Sequence, residues 1–236
     1  MIDIVSATRC SEAEFWADSA LGQSLQRLQF DGRLRPRVSF ENRRGLSEVY
    51  NSALTAPDAN DMLVFVHDDV WLEDFFLADR VAQGLRAFDV IGLAGNRRQS
   101  EQHVSWNYIG TDLVWDDLAH LSGIIAHGQK PFSRIDCFGT VPADCELLDG
   151  VFLAANRRTL LAKAVAFDPQ FDFHFYDIDF CRTARRQGLR LGTWPISVKH
   201  QSGGAFGSAE WARLYPLYAH KWGGAGAPSL EPNDRP

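Results

Sequence analysis

Three short polar stretches hold the residues best suited to chemistry: His67-Asp68-Asp69, Asp177-Ile178-Asp179 and His200-Gln201-Ser202. Adjacent carboxylates such as Asp68 and Asp69 repel each other unless a cation neutralises them. A divalent ion shared between carboxylates and substrate phosphates does so. The plainer reading has Asp69 break a strand and Asp68 cap the helix that follows. Asp177 falls at an expected helix start, where the helix dipole favours negative charge. In a partly dry pocket formed by the aromatic run 171–176, the same carboxylate has the makings of a general base. N-capping alone would account for one of the two aspartates in that stretch. His200 ends an expected strand just before Gly203-Gly204, a position open to a metal ligand, although a lone histidine has a structural reading too. Asp149-Gly150 is a fourth candidate with the composition of an ordinary turn.

The elements that must position these groups follow from apolar spacing. Residues 2–7 read as a buried first strand, and Ser11 with Glu14 makes a capping box for a helix whose face is Ala17, Leu21, Leu25 and Leu28. A second strand is expected over 37–40, then a helix with the stripe Leu46, Val49, Tyr50, Ala53 and Leu54. The unbroken run Met62-Leu63-Val64-Phe65-Val66 suits a central strand covered on both faces. A third helix carries Leu77, Val81, Leu85 and Phe88, and a strand follows over 90–94. Residues 97–144 show little periodicity and read as loops or short strands over the core. Beyond them the pattern gives a strand over 147–155, a helix over 157–164, a helix over 177–187 stopped by Gly188, and a last strand over 189–198. An aromatic segment over 211–222 precedes a Gly- and Pro-rich stretch, 223–236, expected to be disordered. Strand and helix alternate through the first hundred residues. The expectation is therefore one α/β domain over 1–222 with a mostly parallel central sheet flanked by helices. In such a sheet ligands bind beyond the carboxyl ends of the strands, which draws attention to Thr8-Arg9, Glu41-Asn42, Asp68-Asp69 and Asn96.

Composition narrows the class. The 236 residues are 45% hydrophobic and 23% charged, ordinary for a globular protein. A formal charge of −6 provides no global field for nucleic acid or an anionic membrane. The pairs Arg43-Arg44, Arg97-Arg98 and Arg157-Arg158 could still form local phosphate sites, or simply be solvated surface. The scattered Cys10, Cys137, Cys145 and Cys181 fit reduced thiols rather than a zinc or disulfide framework. The opening residues read as a strand rather than a signal peptide, and no apolar run approaches membrane-spanning length. A cytoplasmic location with at most peripheral membrane contact is expected.

In order and spacing, several of these segments resemble the family 2 glycosyltransferases of the GT-A fold, nearest the branch of streptomycin-biosynthesis glycosyltransferase-like proteins. The resemblance runs from Met1 to about Gly204. It rests on Gly45-Leu46-Ser47-Glu48-Val49-Tyr50-Asn51-Ser52-Ala53-Leu54, Leu63-Val64-Phe65-Val66-His67-Asp68-Asp69-Val70, Leu148-Asp149-Gly150-Val151-Phe152, Phe175-Tyr176-Asp177-Ile178-Asp179-Phe180-Cys181 and His200-Gln201-Ser202. It implies a nucleotide-sugar donor, a glycan or small-molecule acceptor, a Mn²⁺ or Mg²⁺ cofactor and inversion at the anomeric carbon. Asp69 then matches the last acid of the metal-binding DxD motif, His200 the distal histidine of that metal site, and Asp177 the catalytic base. Asp149 and Gly150 fall where family members line the donor-sugar and acceptor pocket. Asp68 joins the donor-binding set, and Thr8, Glu41 and Asn51 lie in the segments that embrace the nucleotide. The chain departs from the family pattern at His67, which replaces the first acid of DxD, and at Tyr176, which replaces the glutamate of the Glu-Asp motif. Glu41 is only a positional counterpart of the base-reading aspartate. Two other readings remain: a catalytically silent domain of this fold that binds nucleotide sugar or a partner protein, and a metal-dependent phosphohydrolase.

Overall fold

A computed structural model describes residues 1–130, 133–203 and 205–223. In chain order the elements are β1 (Ile2–Ala7), α1 (Glu12–Asp18), α2 (Ala20–Arg27), β2 (Leu34–Ser39), α3 (Leu46–Thr55), β3 (Met62–Val66), β4 (Val70–Leu72), α4 (Leu77–Ala87), β5 (Val90–Gly92) and β6 (Ala94–Asn96). The middle of the chain adds β7 (Tyr108–Ile109), β8 (Val114–Trp115), β9 (Leu121–His127), β10 (Arg134–Gly139), β11 (Ala143–Cys145), β12 (Leu147–Leu148) and β13 (Phe152–Asn156). Then come α5 (Arg157–Ala162), α6 (Tyr176–Arg186), β14 (Leu191–Thr193), β15 (Val198–His200) and α7 (Ala209–Trp222). Apart from Gly223, the stretch 223–236 lies outside the described residues, as does Gly204.

The main sheet has seven strands in the order β11-β14-β5-β13-β3-β1-β2. Leu63, Val64, Phe65 and Val66 of β3 are fully buried at its centre, as an unbroken apolar run requires. β1, β2 and β3 are mutually parallel, but β13 runs antiparallel between β3 and β5, and β11 runs antiparallel to β14. The sheet is therefore mixed, which corrects the expectation of a mostly parallel one. Burial on both faces gives β13 the same apolar composition whichever way it runs, so its direction left no mark on the sequence.

A second sheet has the order β12-β6-β9-β15-β4, with β10 paired to β9. Three segments expected as single strands divide to serve both sheets. The chain leaves β5 and enters β6 at Leu93, leaves β12 and enters β13 across Asp149-Gly150-Val151, and passes from β14 to β15 through 194–197. The stretch 97–144, expected as loops or short strands, supplies β9 at the middle of this sheet. β9 buries Leu121, Ser122, Gly123 and Ile125 but exposes Ile124, so no clean apolar alternation marked it.

The first expected helix is two. Ser19 ends α1 and caps α2, its hydroxyl donating to Phe15 O at 2.7 Å and accepting from the Gly22 N–H at 2.9 Å. The turn buries Phe15 and leaves Ala17 exposed, so Ala17 drops off the expected face. The capping box of Ser11 and Glu14 is present. At the other end, Trp222 Nε1 donates to Asp179 Oδ1 at 2.7 Å, and Lys221 Nζ lies 2.7 Å from the same oxygen. Asp179 thus ties α7 to α6. Cys145 and Cys181 are buried, Cys10 is partly exposed and Cys137 exposed, all as free thiols.

Candidate functional site

Because β1, β2 and β3 are parallel and in register, with Ala7 beside Ser39 and Val5 beside Phe65, their carboxyl ends open on one edge. Thr8 sits there, buried, its N–H donating to Ser39 O at 3.0 Å and its Oγ1 accepting from the Cys10 N–H at 3.1 Å. Glu41 is exposed on the same edge with a left-handed backbone (φ 47°). Asp68 is partly exposed, and its carbonyl accepts from the Leu21 N–H at 3.0 Å. Asn51 lies on α3, where its side chain donates to Phe167 O at 2.7 Å and accepts from the Phe167 N–H at 3.0 Å. That amide is occupied in holding the chain after α5.

His67, Asp69 and His200 come together where β3 ends and where β4 pairs with β15, His200 standing beside Val70. One side-chain ligand atom from each lies within 4.8 Å of the others. Asp69 Oδ1 is 3.2 Å from His200 Nε2, yet it is buried with no hydrogen-bond partner in line. The contact is one of charge rather than direction, and a bound cation would satisfy the orphaned oxygen. Burial works against the Asp69 charge, but the His200 imidazole and the Ser202 hydroxyl outweigh it and hold the carboxyl down at about 2. Burial likewise disfavours a charged His200, and the Asp69 carboxylate overrides it upward. His67 is pushed down, chiefly by burial, toward the neutral imidazole that metals prefer. These three side chains fit a divalent ion.

His67 is further fixed by Tyr176. The tyrosine hydroxyl donates to Gly150 O at 2.9 Å and lies 2.8 Å from His67 Nε2. With its own hydrogen committed to Gly150, that hydroxyl accepts from His67 Nε2–H, which leaves the ring's lone pair on Nδ1.

Asp177 is the second residue of α6, after the N-cap Phe175 and the first helical residue Tyr176. Phe175 has a left-handed backbone (φ 66°) although it is not glycine, a strained conformation of the kind found where a side chain must be aimed. Asp177 Oδ2 accepts from the Gly150 N–H at 3.0 Å. Burial, and then the neighbouring Asp149 carboxylate, raise the Asp177 carboxyl to about 7 against these backbone donors. Asp149 accepts from the Val151 N–H at 3.1 Å in a tight local turn. A Cβ on Gly150 would lie 2.3 Å from the Tyr176 hydroxyl and 2.8 Å from Asp177 Cβ, so only glycine fits between them.

These groups line one cleft of about 620 Å³: His67, Asp149, Gly150, Asp177, His200 and Ser202 all face it. Asp69 joins through its contact with His200. Thr8, Glu41 and Asp68 stand on the adjoining strand-end edge, and Asn51 stands apart. Asn96 serves the architecture, donating to the buried Asp116 at 2.7 Å. Among the arginine pairs, Arg157 donates to the carbonyls of Leu54 and Ala56, Arg158 pairs with Asp61, Arg98 pairs with Asp116, and Arg44 lies 3.4 Å from Glu48. Reading the sequence did not single out Tyr176 as an orienting group, nor His127, whose Nδ1 lies 2.8 Å from Asp136 and whose ring lies 6.0 Å from that of His200. The pairing of β9 with β15 brings His127 there, and nothing local announced it.

No family model matches the chain, and no curated protein matches it in sequence. Solved structures do. The crystal structure of GalNAc-T7 with UDP, GalNAc and Mn²⁺ aligns with a TM-score of 0.52 at 12% identity, over 93% of this chain and 47% of that one. This chain thus spans about half the length of that structure. Weaker likenesses are the mannosyltransferase PcManGT from Pyrobaculum calidifontis in complex with GDP-Man and Mn²⁺ (TM-score 0.46, 12% identity, 94% of this chain and 61% of that) and A197 from STIV (0.46, 11%, 81% and 80%). The fold is similar to that of a glycosyltransferase structure, and the cleft carries a histidine-aspartate-histidine group suited to a metal ion.

Proposed function

We propose that the chain is a cytoplasmic, metal-dependent glycosyltransferase that moves a sugar from a nucleotide-sugar donor to a glycan or small-molecule acceptor with inversion. The observation that carries this reading is the meeting, in one cleft, of a carboxyl raised to about 7 and the group His67, Asp69 and His200. Those three side chains would hold Mn²⁺ or Mg²⁺, which would neutralise charge developing on a departing diphosphate. Asp177 accepts the proton of the acceptor hydroxyl as that oxygen attacks the anomeric carbon. A carboxyl of this basicity is well matched to such a task near neutral pH. Attack from the face opposite the leaving group inverts the centre. Asp149 and Gly150 bound the donor-sugar and acceptor space, and Thr8, Glu41 and Asp68 meet the nucleotide beyond the strand ends. Asn51 contributes there through the position of α3, its amide being already engaged.

A second reading, a silent domain that binds nucleotide sugar without turnover, is favoured by the two departures from the family pattern at His67 and Tyr176. One experiment separates them. Calorimetry with UDP, GDP and dTDP, with and without Mn²⁺, is followed by donor hydrolysis and transfer assays. The transferase reading expects Mn²⁺-dependent binding and turnover, with Asp69→Ala weakening the binding by at least about tenfold. Binding without turnover favours the silent domain, and phosphate release from simple esters favours a phosphohydrolase. An unchanged Asp69→Ala variant removes the metal role.

A further inference from the structure

Part of the same cleft is walled with aromatic rings. The short hairpin of β7 and β8 sets Tyr108 against Trp115, with ring centroids 5.3 Å apart. Phe138 of β10 lies 5.0 Å from Trp106 and stacks on Trp115 at 6.0 Å with 22° between planes, and Phe206 meets Tyr108 edge-on at 5.2 Å. All five rings line the cleft. Trp115 and Phe206 nonetheless remain 48% and 38% exposed, a large apolar surface left open inside a concavity.

The wall is held in place from behind. Asp116, next to Trp115, is buried and accepts from Asn96 at 2.7 Å and from Arg98, with His103 Nε2 3.3 Å away. The Asp116 N–H donates to Asn107 O at 2.8 Å and the Val104 N–H to Tyr108 O at 3.0 Å. Tyr108 and Trp115 are therefore presented with little further ordering cost.

We infer that this wall is a carbohydrate subsite, in which a pyranose ring of the acceptor stacks on Trp115 and Phe206 with its hydroxyls turned toward the polar groups of the cleft. A pyranose has C–H faces and a hydroxyl rim. The cleft carries both characters, since Asp149, Asp177, Asp136 and His174 line it together with the aromatic rings. A hydrocarbon or flat aromatic ligand would leave those polar groups desolvated and unpaired. The inference deepens the transferase reading, and rests on it only for the claim that the stacked ring is the one glycosylated.

The test uses the full chain and a panel of methyl pyranosides and disaccharides, followed by saturation-transfer NMR and tryptophan fluorescence. Saturable millimolar binding of at least one sugar is expected, weakened about tenfold by Trp115→Ala or Phe206→Ala. Both side chains are exposed, so the variants are expected to fold. Mn²⁺-dependent nucleotide affinity should stay within about twofold of the unaltered protein, since neither ring belongs to the His67, Asp69 and His200 group. No sugar bound at tens of millimolar, binding indifferent to both substitutions, or binding of indole and nitrophenol that no sugar displaces would each overturn the inference. Sugar binding that survives when no nucleotide binds leaves the wall in place and removes the transferase reading instead.

Discussion

Replacing Asp177 by asparagine separates the electrostatics of the cleft from its chemistry. A carboxyl raised from 3.8 to about 7 releases its proton less readily in the folded protein than in the unfolded chain. Its ionisation therefore costs stability as pH rises from near 4 to about 7, and the cost then levels off. The full displacement corresponds to about 4 kcal/mol. Between pH 5 and pH 8 roughly half of it is still to be lost, about 2 kcal/mol after allowance for the residual solvent contact of Asp177. Asparagine cannot ionise and escapes this cost. Urea unfolding of both proteins in chelator should thus show Asp177→Asn gaining about 2 kcal/mol on the parent between pH 5 and pH 8. The same variant should keep Mn²⁺-dependent nucleotide binding and lose transfer by a factor of about 10² to 10⁴. In the parent, transfer should rise with pH through about 7. A stability difference that is flat with pH, or that grows toward acid, refutes the account of a dry carboxyl. Normal turnover by the variant refutes its role as base.

Tyr176→Phe removes the hydroxyl that orients His67 and should lower Mn²⁺ affinity by about 10- to 100-fold, read by calorimetry with the metal alone. Unchanged affinity means that His67 needs no such partner. Gly150→Ala forces a methyl to within 2.3 Å of the Tyr176 hydroxyl and should cost about 1–3 kcal/mol of stability by urea unfolding, with transfer lost in the folded fraction; a neutral effect would show that this turn yields easily. Asp116→Ala strips the buried partner of Asn96 and Arg98 and should destabilise by about 3 kcal/mol, with proteolysis concentrating in 97–117; even cleavage along the chain would contradict its anchoring role.

Much of the main sheet could be read from composition, because β3 is buried on both faces and has no polar alternation to obscure it. The capping box at Ser11 was legible because its two partners are only three residues apart. The direction of β13 was not, since a strand covered on both sides carries the same residues whichever way it runs. Nor was the division of 90–96, 147–156 and 189–200 between two sheets, which depends on tertiary partners for β6, β12 and β15. At the site, Asp69, Asp177 and His200 stood out as polar residues at element ends. His67 looked only like a missing acid, and Tyr176 only like a missing glutamate. Their meaning lies in a contact across 109 residues of sequence, beyond the reach of any local pattern.

The two positions at which the chain departs from the glycosyltransferase pattern that it resembles are one feature. A histidine in place of the first acid brings a ring whose lone pair must be set on the correct nitrogen, and a tyrosine in place of the glutamate supplies the acceptor that sets it. Gly150 then joins both arms of the cleft. Its carbonyl takes the Tyr176 hydroxyl that orients His67, and its N–H holds the Asp177 carboxyl. A side chain at this position would push on both arms at once, which is why the turn between β12 and β13 needs glycine although its backbone is not left-handed. The position of the Asp177 carboxyl and that of the His67 ring are therefore coupled through a single residue. On this geometry, substitutions at Gly150 should disturb metal affinity and transfer together, whereas Asp177→Asn should disturb transfer alone.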